Sequence, residues 1–489
     1  MTDKPTRNFR PLSSLFLALA LGCSGAPPEQ EPNTGEHSSA STGDSSYDER
    51  DSRKPQDPEP VTLGSTVYFV AHEESTGTEL WRTDGTHEGT RLVRDMGPGP
   101  NPNDILELAA SSDTVYLTRV DYDGSGIRLW KSDGTTEGTV PLEVPTREFN
   151  YDHPALLVPC GDLLFFTNEG PGEKPGIWRS NGTPGGTVSL TTAAGPDWSP
   201  YEGVRPACAN GTLFFVGKRT TGTLELWKSD GTPGGTVGLG SLGPDSLGWM
   251  YRPTLVALGS RVFFNPALDG QPLWTSDGTS AGTHPLGYPV QGMTLTRGPI
   301  VVGGALYFTT QDFNTPTQLW TSDGTGAGTR LVTLVPEAHS PPDLMAAGDT
   351  LILAAAGGIY QSDGTSEGTT FLFRQMTAQY TQMQPAPTAA RRGDQLFFRV
   401  WENHPASASL WVSDGTTAGT TPLLTAQGQR IQEPFGITRA GDQVLFWTDD
   451  GVHGMEPWVT DGTPAGTHLL RDIRHQNASE PAHLTNVEG

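Results

Sequence analysis

The chain has 489 residues with 31 basic and 55 acidic side chains, a formal net charge of −24, 61 Gly and 41 Pro. That acidity excludes a partner held through a phosphate backbone, which such a surface repels. Glycine and proline at this density, with no long apolar helical period, point to many short strands joined by turns.

Lys4, Arg7 and Arg10 precede an apolar stretch from Leu12 to Leu21, the make-up of an export signal. The stretch is too short to span a bilayer, and no later segment reaches the about 18 apolar residues that a spanning helix needs. Ala20-Leu21-Gly22-Cys23 resembles the bacterial lipobox, with Ala where Leu is usual three places before Cys. Residues 1–22 are therefore expected to be a lipoprotein-type signal peptide and Cys23 the lipidated residue; the plainer alternative is an ordinary secretory signal. Ser24 after the Cys is compatible, by that resemblance, with the outer membrane of a Gram-negative cell. Residues 23–58 are Ser, Pro, Glu and Asp with almost no large apolar residue. They cannot bury enough surface to offset their ordering entropy and read as a disordered acidic tether.

From Val61 onward one phrase returns nine times. The copies are LWRTDGTHEGT from Leu80, LWKSDGTTEGT from Leu129, IWRSNGTPGGT from Ile177, LWKSDGTPGGT from Leu226 and LWTSDGTSAGT from Leu273. LWTSDGTGAGT from Leu319, IYQSDGTSEGT from Ile359, LWVSDGTTAGT from Leu410 and PWVTDGTPAGT from Pro457 complete the set. Successive Asp (or Asn181) markers are 49, 48, 49, 47, 46, 40, 51 and 47 residues apart. A period in that range indicates one supersecondary unit per copy. About a dozen residues before each aromatic lies a β-rich run, such as VYF at 67–69 or LFF at 213–215, usually after a Gly-Asp or similar turn. Another apolar run follows the phrase, and a looser Pro-x-x-Ile/Leu segment such as Pro102 to Leu108 precedes the β-rich run.

That makes four strands per copy, a to d, in an antiparallel meander. The fold class is all-β: a β-propeller of nine four-stranded blades over residues 59–489, or eight if the short copy around Asp363 is absorbed. Two smaller propellers are the runner-up. The first copy begins at strand b, with little before it beyond Pro60–Leu63, and the tail 477–488 is similar to the strand-a segment 101–108. A C-terminal strand a is therefore expected to close the ring.

The phrase itself reads as the c–d turn. Trp81, Trp130, Trp178, Trp227, Trp274, Trp320, Tyr360, Trp411 and Trp458 should end strand c and fill the wedge between neighbouring sheets. Asp84, Asp133, Asn181, Asp230, Asp277, Asp323, Asp363, Asp414 and Asp461 should accept backbone N–H groups across the turn, with the glycines in conformations closed to other residues. A calcium loop would need several convergent oxygens, whereas each Asp-Gly-Thr core offers one carboxylate and the third copy's Asn-Gly-Thr offers none. No metal or cofactor is expected. Cys160 and Cys208 precede equivalent strands of adjacent copies, one residue out of register. A disulfide and two buried thiols are both open readings.

The phrase resembles the ELWxxDGT repeat family of bacterial exported proteins and lipoproteins, notably of myxobacteria, over Val61 to Ile473. It is also similar to the Asp-box turn of sialidases. The resemblance implies a propeller and an exported location and carries no activity. In a meander blade, the a–b and c–d turns fall on one face and the b–c and d–a connections on the other. Loop variation on that second face is where binding is expected. Its candidates are Asp121, Tyr122 and Asp123, Glu169 and Glu173, Trp401 to His404, and Asp449, Asp450 and His453. No Ser-His-Asp set, zinc-type spacing or phosphate loop stands out. The expectation is a lipid-anchored, exported, non-catalytic binding or scaffold protein, monomeric and on the periplasmic or cell-surface side of the outer membrane. Its partner would be an envelope protein or polysaccharide, and its only membrane contact the N-terminal lipid. The alternative is a carbohydrate-active hydrolase or lyase using loop-face carboxylates.

Overall fold

Strand b of each copy is apolar at nearly every position, which suits a strand buried on both faces. In the first copy Val67, Phe69 and Ala71 pack one way and Tyr68 and Val70 the other. Each sheet is thus sandwiched between two others. A ring of radial sheets is the arrangement that gives every sheet two neighbours.

The computed structural model describes residues 58–474 apart from 98, 100–104, 112, 122–125, 143–155, 170–174, 191–197, 202–203, 245–254, 266–272, 287–293, 312–315, 336–341, 356–357, 375–388 and 404–405. The expected signal, Cys23, the tether and the C-terminal tail lie outside the described residues. The rest is an all-β, nine-bladed propeller of antiparallel four-stranded sheets about a central axis, with strand a of blade 4 split into Trp198–Pro200 and Ala207–Ala209. Blade 1 has strand a at Val61–Leu63, b at Thr66–Glu73, c at Gly77–Thr83 and d at Arg91–Leu92. Blade 9 has a at Phe435–Ala440, b at Gln443–Asp449, c at Met455–Thr460 and d at His468–Leu469. The short seventh copy forms a full sheet, Asp343–Ala347, Thr350–Ala355, Gly358–Ser362 and Thr370–Phe373, so the count is nine. Its missing residues come from the b–c connection, which joins Ala355 to Gly358.

Nine separate apolar clusters each combine two adjacent blades, and one of them joins blade 9 to blade 1. In that cluster Trp447, Val459, Leu470 and Ile473 meet Val67, Phe69 and Trp81. This closes one ring and rules out two smaller propellers. Two expectations need correction. The first blade does not begin at strand b, because Val61–Leu63 pairs with Leu63↔Thr66 to Val61↔Tyr68 and takes the strand-a place reserved for the tail. The motif aromatic does not end strand c either; the strand runs two residues further, as from Trp81 to Thr83. The extra residues are the site of the next blade-to-blade contacts.

Each motif aromatic faces the preceding blade. Trp130 packs on Val70 and Leu80, Trp227 on Phe165 and Ile177, and Trp458 on Phe397 and Leu410. Trp178, Trp274, Trp320, Tyr360 and Trp411 repeat the arrangement, and Trp81 meets Trp447 of blade 9. The partner across the b–c pair is usually Phe, as in Phe308 and Trp320, stacked at 6.4 Å.

Candidate functional site: the motif turns and the opposite loop face

The Asp of the motif is engaged by its own turn. In all nine copies the side-chain Oδ1 accepts the N–H of the Thr two residues on at 2.8–3.1 Å. It also accepts that Thr's hydroxyl at 2.7–2.8 Å. An amide oxygen can do both, which is why Asn181 fits the third copy. These donors, the Thr hydroxyl first and its amide second, hold the eight Asp carboxyls below their usual range.

The remaining motif residues lock this turn. The Ser or Thr before the Asp lies 2.7–2.8 Å from the hydroxyl of the Thr seven residues on, from Thr83 with Thr90 to Thr460 with Thr467. The first glycine has φ between +79° and +93° in every copy, a region that favours glycine. The second is required for a different reason: a Cβ on Gly235 would overlap the Asp230 carboxylate, and the same holds in the other copies.

The turn also ties blades together. The residue after the aromatic reaches forward to the next turn: Arg82 donates to Gly134 O at 2.9 Å, Lys131 to Gly182 O at 3.0 Å and Arg179 to Gly231 O at 3.0 Å. Gln361 does the same for Gly415 O at 3.1 Å. Arg471, just after the last strand d, donates to Thr90 O of blade 1. Sequence reasoning missed these ties, although Lys, Arg or Gln in the variable slot of five copies was the signal. In blade 8 the slot holds Val412, and a cavity of about 520 Å³ opens beside Gly462 and Pro464 of blade 9.

On the opposite face, the side chains of Asp121, Tyr122, Asp123, Glu169, Glu173 and Trp401 to His404 lie outside the described residues. The b–c tip of blade 9 is described and self-contained. Asp450 Oδ1 accepts Val452 N at 2.9 Å and His453 N at 2.8 Å, and its Oδ2 lies 2.7 Å from His453 Nδ1. Burial pushes the Asp450 carboxyl up, but the His453 amide and ring and the Val452 amide outweigh it and hold it low. Val452 at the tip is 69% exposed.

Three buried carboxylates stand nearer that face, and sequence reasoning missed all of them. Glu456, two residues before the blade-9 aromatic, accepts Ile473 N and Arg474 N, both at 3.1 Å, and so fixes the segment after strand d. Glu79 is the equivalent residue of blade 1. Burial pushes its carboxyl up to about 8, against the Arg119 guanidinium of blade 2, 3.7 Å away, which favours the charge. Glu107 on strand a of blade 2 meets Arg205 of blade 4 at 2.9 Å. Burial raises it to about 7 against Arg205 and the Leu157 amide. Raised carboxyls are suited to acid catalysis, yet Glu79 is fully buried and Glu107 nearly so, each opposite an arginine of another blade. Among the described residues no group of three or more His, Cys, Asp or Glu is placed to hold a metal ion.

Cys160 and Cys208 form a disulfide between strands a of blades 3 and 4, with Cα atoms 5.4 Å apart.

No protein-family model matches the chain, nor does any curated protein. Among solved structures it is similar to puromycin hydrolase, at 14% identity over 81% of this chain and 59% of that one, with a TM-score of 0.39. Prolyl oligopeptidase B from Galerina marginata, bound to a 35mer hydrolysis and macrocyclization substrate, matches at 12% identity over 73% and 54%, TM-score 0.42. Oligopeptidase B from Leishmania major matches at 12% over 81% and 54%, TM-score 0.39. The chain spans little more than half the length of these proteins. Superpositions this loose carry no argument about activity.

Proposed function

We propose that the protein is an exported, lipid-anchored propeller of the ELWxxDGT type that binds an envelope protein or polysaccharide without transforming it. One observation carries this reading: the repeated side chains are engaged within their own turns or across blade junctions. Recognition then falls to the opposite face, where connections differ from blade to blade, as between the Ala355–Gly358 link and the Asp449–Met455 tip. The buried carboxylates support the same reading, since Glu456 serves the connector after strand d and Glu79 faces the interior beside Arg119.

The test uses the chain from Pro58 onward, which contains all nine blade junctions. Incubated with isolated envelope polysaccharides and proteins, it is expected to retain a ligand and release no sugar. Released oligosaccharide would replace this reading with that of a carbohydrate-active enzyme. The anchor is tested separately in the full chain: Cys23→Ser is expected to leave the detergent phase for the aqueous one. A variant that still partitions with membranes would remove lipidation from the account.

A further inference from the structure

The chain contains two Asn-Gly dipeptides, Asn181-Gly182 and Asn210-Gly211. Glycine leaves an asparagine's side chain open to attack by the next backbone nitrogen, because no Cβ obstructs the approach. The fold treats the two dipeptides differently.

At the first, both reacting groups are held. Asn181 Oδ1 accepts Thr183 N at 3.1 Å and the Thr183 hydroxyl at 2.7 Å, while Gly182 N donates to Ser180 Oγ at 3.1 Å. Lys131 fixes the Gly182 carbonyl as well. At the second, Asn210 and Gly211 form the tip of the a–b hairpin of blade 4, where Ala209 pairs with Thr212. Both tip residues have positive φ, +48° and +75°, the conformation of a tight two-residue hairpin. Asn210 is exposed, and a Cβ placed on Gly211 would meet nothing within 4 Å. Among the described residues no hydrogen bond engages the Asn210 side chain or the Gly211 N–H.

We propose that Asn210 is a site of spontaneous backbone modification in the folded protein. The Gly211 nitrogen bonds to the Asn210 side-chain carbonyl carbon, and the side-chain nitrogen leaves as ammonia, taking up the displaced proton. Water then opens the cyclic imide. Cleavage at the side-chain carbonyl gives aspartate; cleavage at the main-chain carbonyl gives isoaspartate, with one more carbon in the backbone. The lesion falls two residues from Cys208, in a turn that touches its neighbour: a Cβ on Gly161 would lie 3.8 Å from Gly211 Cα. It adds a carboxylate close to Asp162 at the junction of blades 3 and 4.

The native protein is incubated at mildly alkaline pH, digested, and the two Asn-Gly peptides are followed by mass spectrometry with an isoaspartate assay. A parallel sample is kept unfolded in denaturant. Conversion at Asn210 is expected to run about tenfold faster than at Asn181 in the native sample, a barrier difference of about 1.4 kcal/mol, and at a similar rate in the unfolded one. Equal native rates, or faster loss at Asn181, would overturn the proposal. So would an Asn210 that converts only when unfolded.

Discussion

Replacing Cys208 by serine is expected to lower stability by about 2–4 kcal/mol, through the unfolded chain more than through any lost contact. The two cysteines are 48 residues apart. Cross-linking a loop of that length restricts the denatured ensemble by about 4 kcal/mol on the chain-entropy account. The bond also holds the innermost strands of adjacent blades, where separation would open the ring. Denaturant melts of the wild type with and without reductant, beside Cys208→Ser, check the claim. Reduced wild type should coincide with the variant, and oxidised wild type should melt later. Identical curves under all conditions would show that the clamp contributes nothing to the ring.

Above about pH 8, where the Glu79 carboxyl loses its proton, Arg119→Met is expected to cost about 3–5 kcal/mol by leaving that charge buried without its cation, and less near neutral pH, where the carboxyl is protonated. The cost should be largely reversed in the double variant with Glu79→Gln, which removes the stranded charge. The pair also dictates a pH dependence. A carboxyl raised from its ordinary 4.5 to about 8 in the fold binds its proton more tightly there than in the unfolded chain. Its contribution is fully present below about pH 4.5 and is lost as pH rises to about 8. Glu107, raised to about 7, acts in the same direction over a narrower window. The motif Asp residues, held low, act oppositely and lose their contribution as pH falls below the usual carboxylate range. Stability should therefore peak in mild acid and fall toward pH 8 by at most about 1.4 kcal/mol per pH unit for each raised carboxyl. Glu79→Gln should flatten that descent. A flat profile in the wild type, or an unchanged slope in the variant, would contradict it.

Much of the ring was legible in the sequence because each blade repeats a turn whose positions admit only one or two residue types. The paired glycines, the Asp or Asn and the following Thr are dictated by φ, by the carboxylate over the second Cα and by the hydroxyl bonds. Strand a was harder to place, since Val61–Leu63 is only three residues long, although Gly64-Ser65 forms its turn to strand b. The cysteines show why spacing alone left two readings open. Their one-residue offset looked like a mismatch between equivalent strands. Side chains alternate along a strand, and equivalent positions in a ring of radial sheets point the same way around it. Two residues that face each other across a junction must therefore be offset by an odd number. Glu456 was invisible for another reason: an acid beside Pro-Trp gives no hint that it accepts amides 17 and 18 residues later.

The hydrogen bonds within the turn assign the repeated Asp to the architecture rather than to an ion. Thermal melting of wild type and Asp230→Ala, each with calcium and with chelator, tests that assignment most directly. The variant should lose about 0.5–2 kcal/mol, as for a lost local cap, and neither protein should respond to calcium. A wild-type melting temperature that rises with calcium, and a variant that has lost the response, would contradict the account.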